Sequence, residues 1–249
     1  MIVLFTDFGA DDIYVGQLKA SLLEHLPAGT SIVDLLHSAP GFQVRPSAHL
    51  LDALQRRFGA GTVFLAVVDP GVGSAREAVV LQTEGKWFVG PDNGLLSVVS
   101  GRALRSKTWR ITWRPRLLSA SFHARDLFAP IAASIAAGEF PAAKVEETEN
   151  LQLRLPVEDL PEIIYIDHYG NAVTGLPART VSHASMIGVG ERQLPYAKVF
   201  GDVPQGSTFW YENSIGLVEL AANRASAAAR LALALGDPIR VVEPADKTT

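Results

Sequence analysis

The sequence predicts an N-terminal α/β domain with a largely parallel, helix-covered sheet, followed by a smaller C-terminal domain of short strands, a β-barrel or sandwich. Apolar strands alternate with amphipathic helices in the first part of the chain. Short strands punctuated by glycine and proline occupy the last part. Between them, residues 141–160 are acidic and polar and lie among prolines, as is typical of a domain boundary. The predicted domains are 1–150 and 158–249.

The first half of the chain follows a strand, helix, strand, helix, strand pattern. Asp11 and Asp12 precede the first helix, and acidic residues favour a helix N-terminus. Gly59 follows the second helix, where glycine commonly ends one. The third strand is a continuous β-branched run, as expected of a strand covered on both faces. The predicted elements are a strand at 2–5, a helix at 13–25, a strand at 31–36, a helix at 44–58 and a strand at 63–68.

The remaining elements are shorter and less regular. Glu84 and Gly85 lie between two apolar runs and predict a hairpin turn. An alanine-rich stretch that stops at Gly138 predicts a helix. The predicted elements are hairpin strands at 79–82 and 87–89, a helix at 127–137, C-terminal strands at 163–167, 186–189, 208–212 and 239–242, and a helix at 225–235.

Composition disfavours several classes of function. The chain of 249 residues is 48% hydrophobic and 19% charged, an ordinary globular mixture. Its net charge of -4 and the lack of a basic run disfavour a nucleic-acid partner. Without cysteine there is no disulfide and no thiolate metal site. No basic segment precedes the first apolar run, and no apolar run approaches the roughly 20 residues that cross a bilayer. We therefore expect a cytoplasmic protein without membrane contact.

Polar residues and glycines interrupt the apolar pattern at four places. In an open α/β sheet, ligands bind beyond the carboxyl ends of the strands. Two of the segments follow strands of the predicted sheet, so they are expected to face one crevice. Taken singly, each segment is better explained as a turn or a helix cap than as a catalytic segment. The segments are Thr6-Asp7-Phe8-Gly9, Asp69-Pro70-Gly71-Val72-Gly73, Pro91-Asp92-Asn93-Gly94 and Phe122-His123-Ala124-Arg125-Asp126.

Taken together, the order and spacing of these segments resemble a known family. The first extends to residue 16 as Thr-Asp-Phe-Gly-Ala-Asp-Asp-Ile-Tyr-Val-Gly, and Arg76 follows the second. Two further segments are Asp167-His168-Tyr169-Gly170-Asn171 and Asn213-Ser214-Ile215-Gly216. The set resembles the motifs of the S-adenosyl-L-methionine (SAM) hydroxide adenosyltransferases. These enzymes are SAM hydrolases related to the SAM-dependent fluorinase and chlorinase.

The resemblance implies a fold, an assembly and a reaction. The fold is an N-terminal α/β domain with a C-terminal β-barrel, and the assembly is a homotrimer with active sites at subunit interfaces. The hydrolases carry an Asp-Arg-His set that maps onto Asp69, Arg76 and His123. Because the halogenases have other residues, notably a tyrosine, at the positions of Asp69 and His123, the resemblance implies hydrolysis of SAM to adenosine and L-methionine. SAM is the substrate, and neither a cofactor nor a metal is implied.

The chemistry of SAM fits this residue set. Its sulfonium makes methionine a good leaving group, so the difficulty is to orient a nucleophilic water in line with C5′. A carboxylate and an imidazole can share the proton of that water. Because an arginine beside a carboxylate weakens it as a base, we favour His123 over Asp69 as the proton acceptor, although the sequence leaves both open.

The resemblance also implies six substrate contacts. Phe42 and Phe200 lie where the family has aromatic rings around the adenosine, although either is also explained as an ordinary core phenylalanine. The implied contacts are Asp7 with the ribose hydroxyls, Asp167 with the methionine ammonium, Asn171 with the adenine, Ser214 with the methionine carboxylate, and Phe42 and Phe200 with the adenosine.

Two departures from the family pattern and three other functions stay open. Ala124 replaces a usual glycine, and Gly175 replaces a frequent asparagine; both bear on rate and affinity more than on reaction type. One alternative is a non-catalytic SAM-binding or adenosine-binding protein, and another is a SAM-dependent halogenase. The third is a metal-dependent hydrolase using Asp7, Asp11, Asp12 and a histidine. The last is less favoured because acidic residues at a helix start commonly interact with its dipole.

Overall fold

The first part of the chain forms a seven-stranded mixed sheet with helices on it. The computed structural model describes residues 1–243 and divides into two units at residue 157. The elements of the first unit are β1 (Ile2–Thr6), α1 (Ile13–His25), β2 (Ile32–Leu36), α2 (Val44–Gln55), β3 (Val63–Val67), β4 (Ala78–Thr83), β5 (Lys86–Pro91), α3 (Ser97–Arg102), β6 (Ser106–Ile111), α4 (Ala129–Ala136) and β7 (Val145–Thr148). Within residues 1–243, no helix is long and apolar enough to cross a membrane.

The order of the strands corrects the prediction of a largely parallel sheet. The order is β2-β1-β3-β5-β4-β6-β7, and only the pairings from β2 to β5 are parallel. The hairpin at Glu84 and Gly85 reverses the chain, so β4 pairs antiparallel with β5, and β6 and β7 continue in that manner. Neither β6 nor β7 was predicted. β7 is short, acidic and at the sheet edge, so its composition indicates a boundary segment and not a strand.

Buried apolar residues cover both faces of this sheet. Leu18 and Leu22 of α1 join Ile131 of α4 in a core against one face. The strand residues that alternate with this face, such as Phe5 and Phe64, are also fully buried. As predicted, α1 begins at an acidic residue, because Asp12 Oδ1 accepts the Ile13 N–H at 2.7 Å.

The second unit contains two antiparallel sheets. Its elements are β8 (Leu160–Ile166), β9 (Ala172–Pro177), β10 (Met186–Val189), β11 (Arg192–Leu194), β12 (Thr208–Glu212), β13 (Leu217–Ala222), α5 (Ala227–Leu231) and β14 (Ile239–Val242). The sheet orders are β12-β13-β9-β8 and β11-β10-β14. Both sheets contribute to one core, which includes Trp210, Leu220 and Ile187. The pairings among the described residues do not show a closed barrel.

The last helix is shorter than the predicted 225–235. Ser226 caps α5, because its hydroxyl accepts the Ala229 N–H at 3.0 Å. The helix then ends at Ala232, whose φ of 53° lies in the left-handed region. Alanine favours helix throughout this segment, so composition alone predicts a longer helix than the backbone forms.

Candidate active site

The carboxyl ends of three adjacent parallel strands lie at one edge of the first sheet. Asp7 follows β1, Asp69 follows β3, and Asn93 follows β5. The Asn93 side-chain amide donates to the Val68 carbonyl at 2.8 Å and ties the last two ends together. A cavity of about 510 Å³ opens here, and Asp7, Asp69 and His123 all line it. The structure thus brings together residues that the sequence separates by more than a hundred positions.

Asp69 and Arg76 form a bidentate ion pair beside this cavity. The Arg76 Nε donates to Asp69 Oδ1 at 3.0 Å, and Arg76 Nη2 donates to Oδ2. Arg76 Nη1 also donates to the Glu77 carbonyl at 3.1 Å. The Asp69 side chain is 5% exposed and that of Arg76 is 10% exposed. A buried two-point pair fixes the orientation of both groups.

A glycine allows the loop that carries this ion pair to lie close to the segment before His123. Gly73 has a φ of 80°, and a Cβ there would come within 2.5 Å of the Ala120 carbonyl oxygen. A side chain would therefore separate the two loops. This close approach brings Arg76 to His123.

The contact between Arg76 and His123 determines the tautomer of the imidazole. Arg76 Nη2 lies 3.1 Å from His123 Nδ1. Because a guanidinium only donates, Nδ1 is the acceptor, and in the neutral ring the proton lies on Nε2. Burial and then the Arg76 charge lower the pKa of His123 below its ordinary 6.5, so the ring is neutral near pH 7. The contact with Arg76 therefore occupies the one lone pair that the neutral ring has for accepting a proton, and the ring keeps its Nε2–H as a donor.

A π-helical turn follows His123 directly. It covers Ala124–Phe128 and so begins three residues before the predicted helix at 127–137, and α4 begins after it. The Arg76 guanidinium carbon lies 5.2 Å from the centre of the Phe128 ring at the end of the turn, and Arg76 also contacts His123, which directly precedes the turn. Such turns are frequent at functional sites. Ala124, where the family pattern has a glycine, also lines the cavity.

A second ion pair holds the loop before His123, and the sequence analysis assigned it no role. Arg125 Nε donates to Asp126 Oδ1 at 2.6 Å, and Asp126 Oδ2 accepts the Ser119 N–H at 2.8 Å. Arg125 Nη1 reaches Gln17 Oε1 at 2.9 Å. The hydrogen bond from Arg125 lowers the pKa of Asp126. Arg125 and Asp126 belong to the segment at 122–126 that resembles a family motif, and this resemblance is the only sequence signal that points to them.

Asp7 is tied to Phe42 at the entrance of the same cavity. Its Oδ2 accepts the Phe42 N–H at 3.2 Å, and burial raises the pKa of the carboxyl. Phe42 has a φ of 62°, rare for a large side chain, and is 81% exposed. Phe42 is therefore a surface residue and not a core residue.

The second unit has a cavity of its own, of about 620 Å³, lined by Asp167, Asn171 and Phe200. The two oxygens of Asp167 accept from the Asn171 N–H at 2.8 Å and from its side-chain amide at 3.0 Å. Gly170 between them has a φ of 81°, and a Cβ there would collide with Ser226. Phe200 is half-buried and packs edge-on against Phe209. These three predicted substrate residues therefore lie together.

Ser214 is not among the residues that line this cavity, but its turn connects to it. The buried Asn213 Oδ1 accepts the N–H groups of Ile215 at 3.1 Å and Leu217 at 2.9 Å. Its amide donates to Glu219 at 2.8 Å, and Glu219 accepts the hydroxyl of Tyr211 at 2.5 Å. Tyr211 lines the cavity. This network was not predicted from the sequence, because its residues lie on two strands and a turn.

The structure does not group the acidic residues at the start of α1 as a set of metal ligands. In the described part of the chain, 1–243, no group of three or more histidines and acidic residues is placed to hold a metal ion. Asp12 is occupied as the helix cap, and Asp11 is exposed. The expectation of metal-independent activity stays a prediction, which a strong chelator tests.

Comparison with known proteins identifies the family. The chain matches the family model of the SAM hydroxide adenosyltransferase N-terminal domain over residues 2–146 and that of the C-terminal domain over residues 161–240. The chain belongs to the SAM hydroxide adenosyltransferase family. It is 39% identical over 259 residues to the (R)-S-adenosyl-L-methionine hydrolase of Thermus thermophilus, covering 97% of this chain and 99% of the relative.

Two further proteins are similar to this chain. A crystal structure of an uncharacterized conserved protein from Thermotoga maritima has a TM-score of 0.85 and 33% identity, covering 98% of this chain and 100% of the other. A more distant match is the fluorinase of Actinopolyspora mzabensis, 26% identical, covering 97% of this chain and 96% of the relative. The family resemblance that the motifs indicated is confirmed.

Proposed function

We propose that the chain hydrolyses SAM to adenosine and L-methionine. The observation that carries the proposal is the contact of Arg76 with both Asp69 and His123 beside a cavity, in a chain of the SAM hydroxide adenosyltransferase family. A binding protein does not need a buried ion pair that also contacts a neutral imidazole. A hydrolase needs both to orient a water.

In the proposed reaction the water oxygen forms a bond to C5′ of SAM. The bond between C5′ and sulfur breaks, and its electron pair stays on sulfur, so methionine leaves as a neutral thioether. The positive charge of the sulfonium is lost, and one proton of the water leaves the adenosine oxygen. Because the leaving group needs no proton, the site needs only a proton acceptor and a means of orienting the water.

We assign the acceptor role to Asp69 and an orienting role to His123. Arg76 occupies one lone pair on each Asp69 oxygen, and each oxygen has another lone pair for the water. Arg76 also occupies His123 Nδ1, so the imidazole donates from Nε2–H to the water oxygen. The water is then bound by one acceptor and one donor, which fixes its remaining lone pair toward C5′.

The substrate contacts divide between the two units. Asp7, whose two oxygens suit a pair of ribose hydroxyls, lies in the first cavity with Phe42 at its entrance. Asp167 and Asn171 lie in the second cavity, with Phe200, and are proposed for the methionine ammonium and the adenine. Ser214 is proposed for the methionine carboxylate.

We further propose a homotrimer in which the active sites are shared between subunits. Five of the six proposed substrate residues line cavities that each belong to one unit, Asp7 and Phe42 in the first and Asp167, Asn171 and Phe200 in the second. In the test, an Asp69→Ala chain and a Ser214→Ala chain are mixed as verified mixed oligomers. Partial recovery of activity supports shared sites, and no recovery counts against them.

Product analysis after incubation with SAM in ¹⁸O-water tests the reaction. Adenosine labelled at its 5′-oxygen, together with methionine, is the expected result. A halide needs a site without a neighbouring anion, and Asp69 places a carboxylate beside the proposed attack position, so adenosine should remain the main product in high chloride or fluoride. A 5′-halogenated adenosine as the main product overturns the proposal in favour of a halogenase. Bound SAM without turnover overturns it in favour of a binding protein.

A further inference from the structure

A chain of hydrogen bonds lies directly behind Asp7. The Thr6 hydroxyl is 2.8 Å from His37 Nδ1, and His37 Nε2 is 3.1 Å from Asp34 Oδ1. Asp34 Oδ2 in turn accepts from Lys19 Nζ at 2.8 Å. Thr6 is fully buried and His37 nearly so, whereas Asp34 and Lys19 are at the surface. These hydrogen bonds therefore connect the protein surface to Thr6, the residue next to Asp7.

The donors and acceptors available give this series of hydrogen bonds one direction. The ionised Asp34 only accepts, so His37 Nε2 donates to it. In the neutral ring Nδ1 then accepts from the Thr6 hydroxyl. That hydroxyl oxygen is left to accept the Phe8 N–H, which lies 3.4 Å away. Thr6 and Phe8 flank Asp7, so the hydrogen bonds of one threonine hydroxyl orient the backbone on both sides of the carboxylate.

Backbone contacts link the same two segments. The Gly9 N–H donates to the His37 carbonyl at 2.7 Å, and the Ala39 N–H donates to the Thr6 carbonyl at 3.0 Å. The regular pairing of β1 with β2 is interrupted by a register shift between Leu4 and Phe5. Beyond that shift, the side-chain link through His37 fastens the loop that carries Asp7.

The residue types suggest a nucleophilic triad, but the geometry excludes one. Threonine, histidine and aspartate in series occur in hydrolytic sites, where the hydroxyl must reach the substrate. Thr6 is 0% exposed, and neither it nor His37 lines the cavity. The hydroxyl is therefore a structural donor, and the group that it can serve is its neighbour Asp7.

We propose that Thr6, His37 and Asp34 are positioning residues that hold the Asp7 carboxylate in the orientation that binds the ribose hydroxyls. The inference rests on the proposed function, because it assigns the adenosine part of SAM to Asp7. It adds three residues outside the cavity that determine affinity for the ribose without touching the substrate.

The test compares binding of adenosine and of 2′,3′-dideoxyadenosine, which lacks the ribose hydroxyls, to the full chain by calorimetry. Thr6→Val keeps the shape and removes the hydroxyl. We expect it to weaken adenosine binding by about tenfold, the scale of one lost hydrogen bond, and to leave dideoxyadenosine binding unchanged. Thr6→Ser restores the hydroxyl and should bind adenosine within about twofold of the parent chain.

Thr83→Val is the matched control, because the buried Thr83 hydroxyl also donates one hydrogen bond, to the Arg105 carbonyl at 2.9 Å. It should lower stability as Thr6→Val does, without changing the adenosine-to-dideoxyadenosine ratio. If Thr6→Val does not fold, Asp34→Ala at the exposed end of the chain replaces it, with an expected change of about threefold in that ratio.

Two results overturn the inference. One is an equal loss of affinity for both nucleosides, and the other is an unchanged ratio in Thr6→Val and Asp34→Ala. A parent chain that binds adenosine but leaves SAM intact contradicts the proposed function alone, because the ratio can still be measured. A parent chain that binds dideoxyadenosine as tightly as adenosine also overturns the inference, while the proposed function is decided separately by product analysis with SAM.

Discussion

The two cavities differ in the partners that hold their polar side chains. In the first unit the partner is a charged guanidinium, whereas in the second unit the partners are neutral N–H groups. Asp69 and Arg76 form a buried ion pair, and His123 contacts the same guanidinium. Asp167 instead accepts from backbone N–H groups and the amide of Asn171. The first arrangement fixes the orientation of the Asp69 and Arg76 side chains, and the second leaves the negative charge of Asp167 without a cationic partner among the hydrogen bonds that hold it.

The electrostatics of the second cavity support this distinction. Glu219 lies behind Tyr211, and burial together with the Asp167 charge raises its pKa. A bound cation would offset the negative charge that burial and the neighbouring Asp167 make unfavourable at Glu219. The methionine ammonium of SAM is such a cation, which fits the proposed role of Asp167. The comparison predicts that the first cavity governs turnover and the second governs affinity.

The largest expected effect on turnover comes from replacing Asp69. Asp69→Ala removes the proposed proton acceptor and the partner of Arg76, so kcat should fall by about two to four orders of magnitude. KM for SAM should change less, because Asp69 is not proposed to hold a recognition group. Steady-state kinetics measures both values. A kcat near that of the parent chain would show that the first cavity does not govern turnover.

The next effect separates two roles for His123. A proton acceptor is lost equally in His123→Ala and His123→Gln, whereas a glutamine amide replaces an Nε2–H donor. We therefore expect kcat to fall by about a hundredfold or more in His123→Ala but only by about tenfold in His123→Gln. Equal losses in the two variants would restore His123 as the acceptor and contradict the tautomer inferred from Arg76.

A smaller effect is expected in the second cavity. Asp167→Asn keeps the size of the side chain and removes its charge, so KM for SAM should rise by about tenfold with kcat within a few-fold. Asp237→Asn is the matched control in the same unit, since Asp237 also accepts a backbone N–H, from Ala234 at 2.7 Å. A fall in kcat with unchanged KM would place Asp167 in the chemistry and remove the distinction between the cavities.

The smallest effect is on the pH dependence. Because the pKa of His123 is lowered from 6.5, the ring stays neutral down to that pH and gains a proton only below it. Protonation would remove the acceptor for Arg76 and place two cations in contact. We expect kcat to change less than about twofold from pH 8 to 6.5 and to fall in more acidic solution. The fall in kcat at acidic pH should be smaller in His123→Gln. If the pH profile of that variant is unchanged, the fall belongs to the titration of another group.

Prediction from sequence succeeded where the signal is local. The strands of the first half, the helix start at Asp12 and the hairpin at Glu84 follow from periodicity, capping and turn chemistry within a few residues. The motifs also indicated the family, and the structure places Asp7, Asp69 and His123 around one cavity. Shared position at the carboxyl ends of neighbouring strands explains that success for Asp7 and Asp69.

The tertiary structure decided what depends on contacts between distant segments. β7 is a strand because it pairs with β6, although its composition predicts a boundary. The tautomer of His123 follows from Arg76, 47 positions away, and the link between Thr6 and His37 spans 31 positions. The sequence by itself determined the family, the chemical groups and most first-half elements, because these depend on residue type and local spacing. Strand pairing, burial and proton position were decided only by folding, since each depends on which distant group becomes a neighbour.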